Sequence, residues 1–395
     1  MLSTPLRVAL VYNQKKGDST QQSETDETTD PPSLGFSETR TNSFRTTHLS
    51  FPQSLPDLYA EWDTFETIDA MRTALAELHD VILIEADEDA YAKLYTERPD
   101  IVFNIAEGLH GVSREAQIPA LLEMLQIPYT GSDPLTLAVC LDKARSKEIL
   151  AFHQIPTPQF TVVSKSSEVD YQYIQFPCIV KPLHEGSSKG ISNSSLVTSK
   201  AELKRSVTEV IEKYNQPALI EEYLPGREFT VAILGNGANL IVLPIVEIKF
   251  DSLPAGVNPI YSFEAKWIWD QSDAPLDIFK CPATISAKLQ HEIEEMCRKA
   301  FTILRCRDWC RIDVRLDAHG RSHILELNPL PGILPKLEDN SCFPKATRAA
   351  GMTYNQLIQT VLAHAAQRHG IPTQSVSHLA ATYKSSFIQQ LKETA

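Results

Sequence analysis

The chain has 395 residues, 43% hydrophobic and 22% charged, the balance of an ordinary globular protein with enough length for two or three domains. Its net charge of -13 argues against nucleic acid as a main partner, because nucleic-acid binders display a basic stripe. No run of 18 apolar residues suggests a membrane span, and Val8-Ala9-Leu10-Val11 is too brief for a secretory leader, so the expected location is the cytoplasm with no membrane partner.

Leu6 to Tyr12 is a mostly apolar run between Pro5 and Asn13, the pattern of a buried parallel strand. Residues 14–57 are rich in Ser, Thr, Asp, Glu, Gln and Pro, too poor in large apolar groups to offset their own ordering, and are expected to be a mobile insertion where a strand would otherwise turn into a helix. Ile68, Met71, Leu75 and Leu78 recur at helical spacing from Phe65 to His79. Strand Val81 to Glu85, a helix from Glu88, strand Ile101 to Ile105 and a helix over Ala116 to Leu125 follow, which together predict a doubly wound α/β domain.

A second unit begins near Asp133. Asp142 opens a helix carrying Lys143, and strands are expected over Gln159 to Val163, Pro177 to Pro182 and Leu219 to Leu224. Between two of them, Gly186-Ser187-Ser188-Lys189-Gly190 is a small polar loop that can approach phosphates closely, although a plain hairpin turn has the same composition. The seven cysteines are scattered singly among hydrophobic neighbours, which fits reduced thiols. Cys306 and Cys310 form a close pair without a second pair at zinc spacing.

The most informative segments come late. Cys310 to Leu316 and His323 to Asn328 alternate across an Asp317-Ala318-His319-Gly320 turn, the signature of an antiparallel hairpin. Glu326 and Asn328 are two apart and share a face, so with Asp313 they can direct oxygens toward one point beside the cationic Arg311. Hard oxygen ligands of that kind suit magnesium carrying a polyphosphate, and an exposed hairpin with acidic decoration is the plain alternative.

Lys143, Lys181-Pro182, Gly186-Ser187-Ser188, Glu221-Glu222-Tyr223-Leu224, Glu228, Arg311-Ile312-Asp313 and Glu326-Leu327-Asn328-Pro329-Leu330-Pro331-Gly332 occur in an order that resembles the ATP-grasp enzymes, specifically the D-alanine–D-alanine ligase group. The resemblance extends over roughly residues 100 to 365 and is supported by Ile127 to Asp133 and Tyr261 to Trp267. It implies an ATP-grasp fold, mixed α/β and α+β: an N-terminal domain over 1–132, a central subdomain over 133–218, a C-terminal subdomain over 219–370 and a tail over 371–395.

The resemblance also implies roles. Lys143 and Lys181 would neutralise nucleotide phosphates, with Ser188 in the phosphate loop. The segment Glu221, Glu222, Tyr223 and Leu224 would read adenine, and Glu228 the ribose. Asp313, Glu326 and Asn328 would hold two magnesium ions, with manganese as a substitute. ATP would phosphorylate a substrate carboxylate, and an amine would displace the phosphate. Arg311 and the Gly332 N-H would meet the tetrahedral oxyanion, Ser187 and Lys266 would clamp the transferred phosphate, and Ser341 would bind the second amino acid or cap a helix.

Departures fall at the first-substrate pocket. Glu107-Gly108 stands where the family has His-Gly, in a segment that also carries Arg114, and Trp267 stands where a tyrosine is common. Glu61 and Glu66 both lie near the helix start where the family places a substrate-binding acid, and spacing does not choose between them; either could simply face the helix dipole. The expected activity is an ADP-forming ligase of small amino-acid or carboxylate substrates, with D-alanine dimerisation as the default. A ligase acting on a mycosporine-type secondary metabolite and an inactive nucleotide-binding module are the alternatives. A homodimer is left open.

Overall fold

The computed structural model describes residues 5–16, 57–270 and 276–372. Most of the expected insertion, residues 17–56, and the tail from residue 373 lie outside the described residues. Among the described residues no helix is long and apolar enough to cross a membrane.

The first unit is a parallel sheet. Strand β1 (Arg7–Tyr12) lies between β2 (Asp80–Glu85) and β3 (Ile101–Asn104), with Val8 paired to both Val81 and Ile101. Helix α1 (Phe65–Ala76), N-capped by Thr64, packs Ile68, Met71 and Leu75 against Val8 and Leu10 on one face. Helices α2 (Ala90–Glu97) and α3 (Gln117–Leu125) cover the opposite face, meeting Ala9, Val11 and Val102. Burial from both sides is why Val8 to Val11 read as an unbroken apolar run.

Helices α4 (Pro134–Leu141) and α5 (Lys143–Phe152) lead into an antiparallel sheet of order β4-β7-β5-β6: β4 (Phe160–Val163), β5 (Cys178–Pro182), β6 (Leu196–Val197) and β7 (Ala218–Glu222). Helix α6 (Lys200–Tyr214) buries Leu203, Val207 and Val210 on it. The expected strand over Leu219 to Leu224 is therefore an inner strand ending at Glu222, and Tyr223 and Leu224 lie just beyond it.

The third sheet runs β11-β10-β8-β12-β13, with β9 also paired to β8: β8 (Glu228–Leu234), β9 (Ile241–Val242), β10 (Val246–Ile248), β11 (Phe279–Lys280), β12 (Trp309–Leu316) and β13 (Ser322–Asn328). Helix α7 (Ala287–Ile303) packs on one side of it, α8 (Cys342–Ala349) on the other, and α9 (Tyr354–Arg368) bridges to α1. The expected hairpin is β12-β13. Gly320 at φ +76° helps close the loop between them, residues 317–321, and its N-H donates to the Asp317 carbonyl at 3.0 Å. Asp313 pairs with Glu326 and Arg311 with Asn328, so these side chains converge before a bulge shifts the register after Asp313.

Candidate active site

The cleft between the second and third sheets, closed at one end by the first unit, is a cavity bordered by Lys143, Lys181, Glu221, Glu228, Arg311 and Glu326, among others. Ile179, Leu224, Ile248 and Leu325 give its inner part apolar walls beside Tyr223, a slot suited to a flat base.

Beside that slot is a buried ion cluster. Glu221 stands between Lys181 at 2.6 Å and Lys147 at 3.1 Å, and all three side chains are shielded from solvent. Burial alone would lower the Lys181 pKa, but Glu221 and Glu326 hold it above the ordinary lysine value. Lys147, which also donates to Thr157 Oγ1 at 2.9 Å, is pushed down to about 8 by burial. The Glu221 carboxylate, expected at adenine, is thus tied to two lysines. Sequence reasoning missed Lys147; its position one turn after Lys143 on α5 was the signal that could have found it.

Lys143 Nζ donates to the Glu185 carbonyl and lies 3.5 Å from Glu326 Oε2. Glu326 is held down to about 2: burial would raise it, but Lys143, Lys181 and Arg311 prevail, so it is ionised at any ordinary pH. Arg311 chelates Asp313, at 3.1 and 3.0 Å, and Asn328 Nδ2 donates to Asp313 at 3.2 Å. Glu228 accepts from Arg315 Nη1 at 2.6 Å, and Arg315 also reaches the Tyr223 hydroxyl at 3.2 Å; Arg315 is a second member the sequence did not single out. Glu222 borders the cavity while its N-H donates to Gln159.

The loop expected from the sequence to approach phosphates is held from two sides. Ser187 and Ser188 both adopt positive φ, +49° and +59°, so consecutive left-handed residues shape a backbone concavity. From the third unit, Lys266 Nζ donates to Ser187 Oγ at 3.4 Å, Trp267 Nε1 to the Ser187 carbonyl at 3.1 Å, and Ser188 Oγ to the Tyr261 carbonyl at 2.8 Å. Burial and then the charge of Arg311 lower Lys266 to about 8. From the first unit, Glu61 accepts the Gly186 N-H at 2.7 Å and a two-oxygen contact from Arg114 Nη2, both at 2.8 Å, while Arg114 Nη1 donates to the His184 carbonyl at 2.7 Å. Asp57 accepts from Gly190 N at 3.3 Å and from the Tyr214 hydroxyl at 2.5 Å.

The two candidate acids separate cleanly. Glu61 sits in the turn before α1 and borders the cavity; Glu66 is in the exposed first turn of α1, paired with Lys336 at 2.9 Å and away from the cavity. Glu107 borders an adjoining pocket with Asn328 and Gly332, together with Glu115, which sequence reasoning passed over. Burial raises Glu107 well above the usual carboxylate range and Glu115 to about 7. Ser341 occupies the N-cap position of α8 but does not cap it: its hydroxyl donates to the Gly332 carbonyl at 3.3 Å and accepts the Leu334 N-H at 3.2 Å. Among the described residues no group of three or more His, Cys, Asp or Glu could hold a metal ion, so Asp313 and Glu326 with the Asn328 amide are the candidate oxygen donors.

The D-ala D-ala ligase C-terminus family model matches residues 149–363. A D-alanine–D-alanine ligase of Bordetella pertussis is 34% identical over 73% of this chain and 85% of its own length. An uncharacterized protein of Sinorhizobium fredii, y4sG, is 35% identical over 81% of this chain and 93% of its own. A crystal structure of D-alanine–D-alanine ligase from Bacillus anthracis complexed with ATP superposes with a TM-score of 0.64 at 20% identity, covering 92% of this chain and 99% of that one. The chain thus belongs to the D-alanine–D-alanine ligase family, ATP-dependent, ADP-forming ligases built on the ATP-grasp fold.

Proposed function

We propose that this protein joins the carboxylate of one amino acid, or a similar small acid, to the amine of a second through an acyl phosphate. The observation that carries the reading is the convergence of Arg311, Lys266 and the Ser187 loop on the cavity beyond the lysine cluster. A substrate carboxylate oxygen attacks the γ-phosphorus of ATP, the bond to the bridging oxygen breaks, and ADP leaves with that electron pair. Lys143 and Lys181 balance the phosphate charge, and Lys266 and Ser187 hold the phosphoryl group and exclude water that would hydrolyse the acyl phosphate. The amine then attacks the acyl carbon. The oxyanion that forms is met by Arg311 and the Gly332 N-H, inorganic phosphate departs, and the nitrogen loses its proton.

Two carboxylates and an amide oxygen, with Glu326 kept ionised, suit a hard divalent ion, so Asp313, Glu326 and Asn328 would hold magnesium or manganese. Such an ion, when bound, would spread the charge of the polyphosphate. Ser341, anchored to the Gly332 loop, is assigned to the second substrate's carboxylate, and Glu228 to the ribose. We assign the protein to the cytoplasm, a reducing compartment that suits its free cysteines.

D-alanine is the reference substrate. Trp267 and Glu107 in place of the family's tyrosine and histidine favour a different first acid, of which a mycosporine-type acceptor is one. The test is ADP release against D- and L-amino acids, singly, in pairs and with such an acceptor. Release of ADP and phosphate only when an acid is present supports the ligase; release of AMP, or hydrolysis that no acid stimulates, overturns it.

A further inference from the structure

The end of the cavity formed by the first unit carries a lysine with no role above. Lys15, just past β1, has its backbone fixed by a 2.8 Å hydrogen bond from its N-H to the Asp63 carbonyl, and it borders the cavity beside Trp62 and Trp267. Its ammonium stands 5.3 Å from the centre of the Trp267 ring, and the Lys266 ammonium stands 5.2 Å from the same ring. Trp267 is itself pinned to the Ser187 carbonyl, so one indole links Lys15 to the phosphate clamp. Among the described residues the Lys15 ammonium has no carboxylate partner.

The nearby acids are already engaged or buried. Glu61 accepts from Arg114 and the Gly186 N-H. Burial pushes the Asp63 carboxyl up to about 7, Glu115 to about 7 and Glu107 well above its usual range, so near neutral pH these three acids carry less than their full negative charge. The unspent charge here is therefore positive, in a chain whose net charge is -13.

Resting on the ligase reading above, we propose that Lys15 binds a second carboxylate on the acid that is activated, which makes the first substrate a dicarboxylic acid. The reacting carboxylate faces Arg311 and Lys266, the far one meets Lys15, and the Trp267 ring lies against the carbons between. Lys15 is then the residue that selects this substrate over a simple monocarboxylate.

The test is a calorimetric titration of the full chain, with magnesium and a non-hydrolysable ATP analogue, against glutarate and its length-matched monoacid valerate. Glutarate should bind roughly ten-fold tighter or more, the value of one charge-assisted contact in a partly buried site. Lys15→Met should remove that preference with little change for valerate, and Lys15→Arg should retain it. Equal binding of the two acids, no binding of either, or an undiminished preference in Lys15→Met overturns the proposal. ADP release with the amino-acid panel on the same preparations separates the claims: acid-dependent ADP without a diacid preference leaves the ligase standing and removes Lys15.

Discussion

Replacing Glu61 with Gln tests whether the first unit holds the Gly186-Ser187-Ser188 loop. Glu61 accepts three contacts, two from Arg114 and one from the Gly186 N-H, and the Arg114 side chain is only 5% exposed. An amide turns one oxygen into a donor that must face either Arg114 or Gly186, and it removes the charge that balances the guanidinium. Breaking a buried ion pair costs about 3 to 5 kcal/mol, but Glu185 still meets Arg114 at 3.3 Å, so about 3 kcal/mol is expected. The Gly186-Ser187-Ser188 loop should loosen with it, raising KM for ATP more than it lowers kcat. Denaturant unfolding of the wild type, Glu61→Gln, Arg114→Met and the double variant measures the coupling, which should reach about 1 to 3 kcal/mol. Additivity within about 0.5 kcal/mol, with an unchanged ATP KM, would refute the latch.

Gly190→Ala should be more disruptive than an ordinary surface change, because at φ +74° its Cβ would stand 2.4 Å from Pro182 Cγ; a melting temperature equal to wild type would show that the loop yields freely. Arg311→Met should lower kcat about 100-fold or more while nucleotide affinity changes far less, as measured by steady-state kinetics and nucleotide titration. It also frees the Asp313 carboxylate, so a modest loss of stability of about 1 to 3 kcal/mol is expected alongside. Lys266 must be charged to clamp phosphate, and burial holds it near 8, so kcat/KM for ATP should fall as pH rises through about 8, and Lys266→Arg should move that limb upward.

The sequence exposed what local pattern controls. Alternation and a glycine turn specified the β12-β13 hairpin, and two-residue spacing placed Glu326 and Asn328 on one face. Helix spacing found α1 to within three residues of its end, because its apolar stripe is continuous. What spacing could not reveal were partners distant in the chain. Glu61 meets Arg114 and a loop 125 residues away, contacts that distinguish it from Glu66, whose side chain points to Lys336. Lys147 resembles ordinary helix decoration until β7 brings Glu221 against it. Ser341 has the residue type and position of a helix cap, yet the Gly332 loop claims its hydroxyl.

Trapping with hydroxylamine measures the acyl phosphate most directly. With ATP, magnesium and an acid that supports ADP release, hydroxylamine in place of the amine should yield the acid's hydroxamate in step with ADP, and Arg311→Met should lower both. ADP formed without any hydroxamate across the acid panel, or hydroxamate accompanied by AMP, would contradict the account.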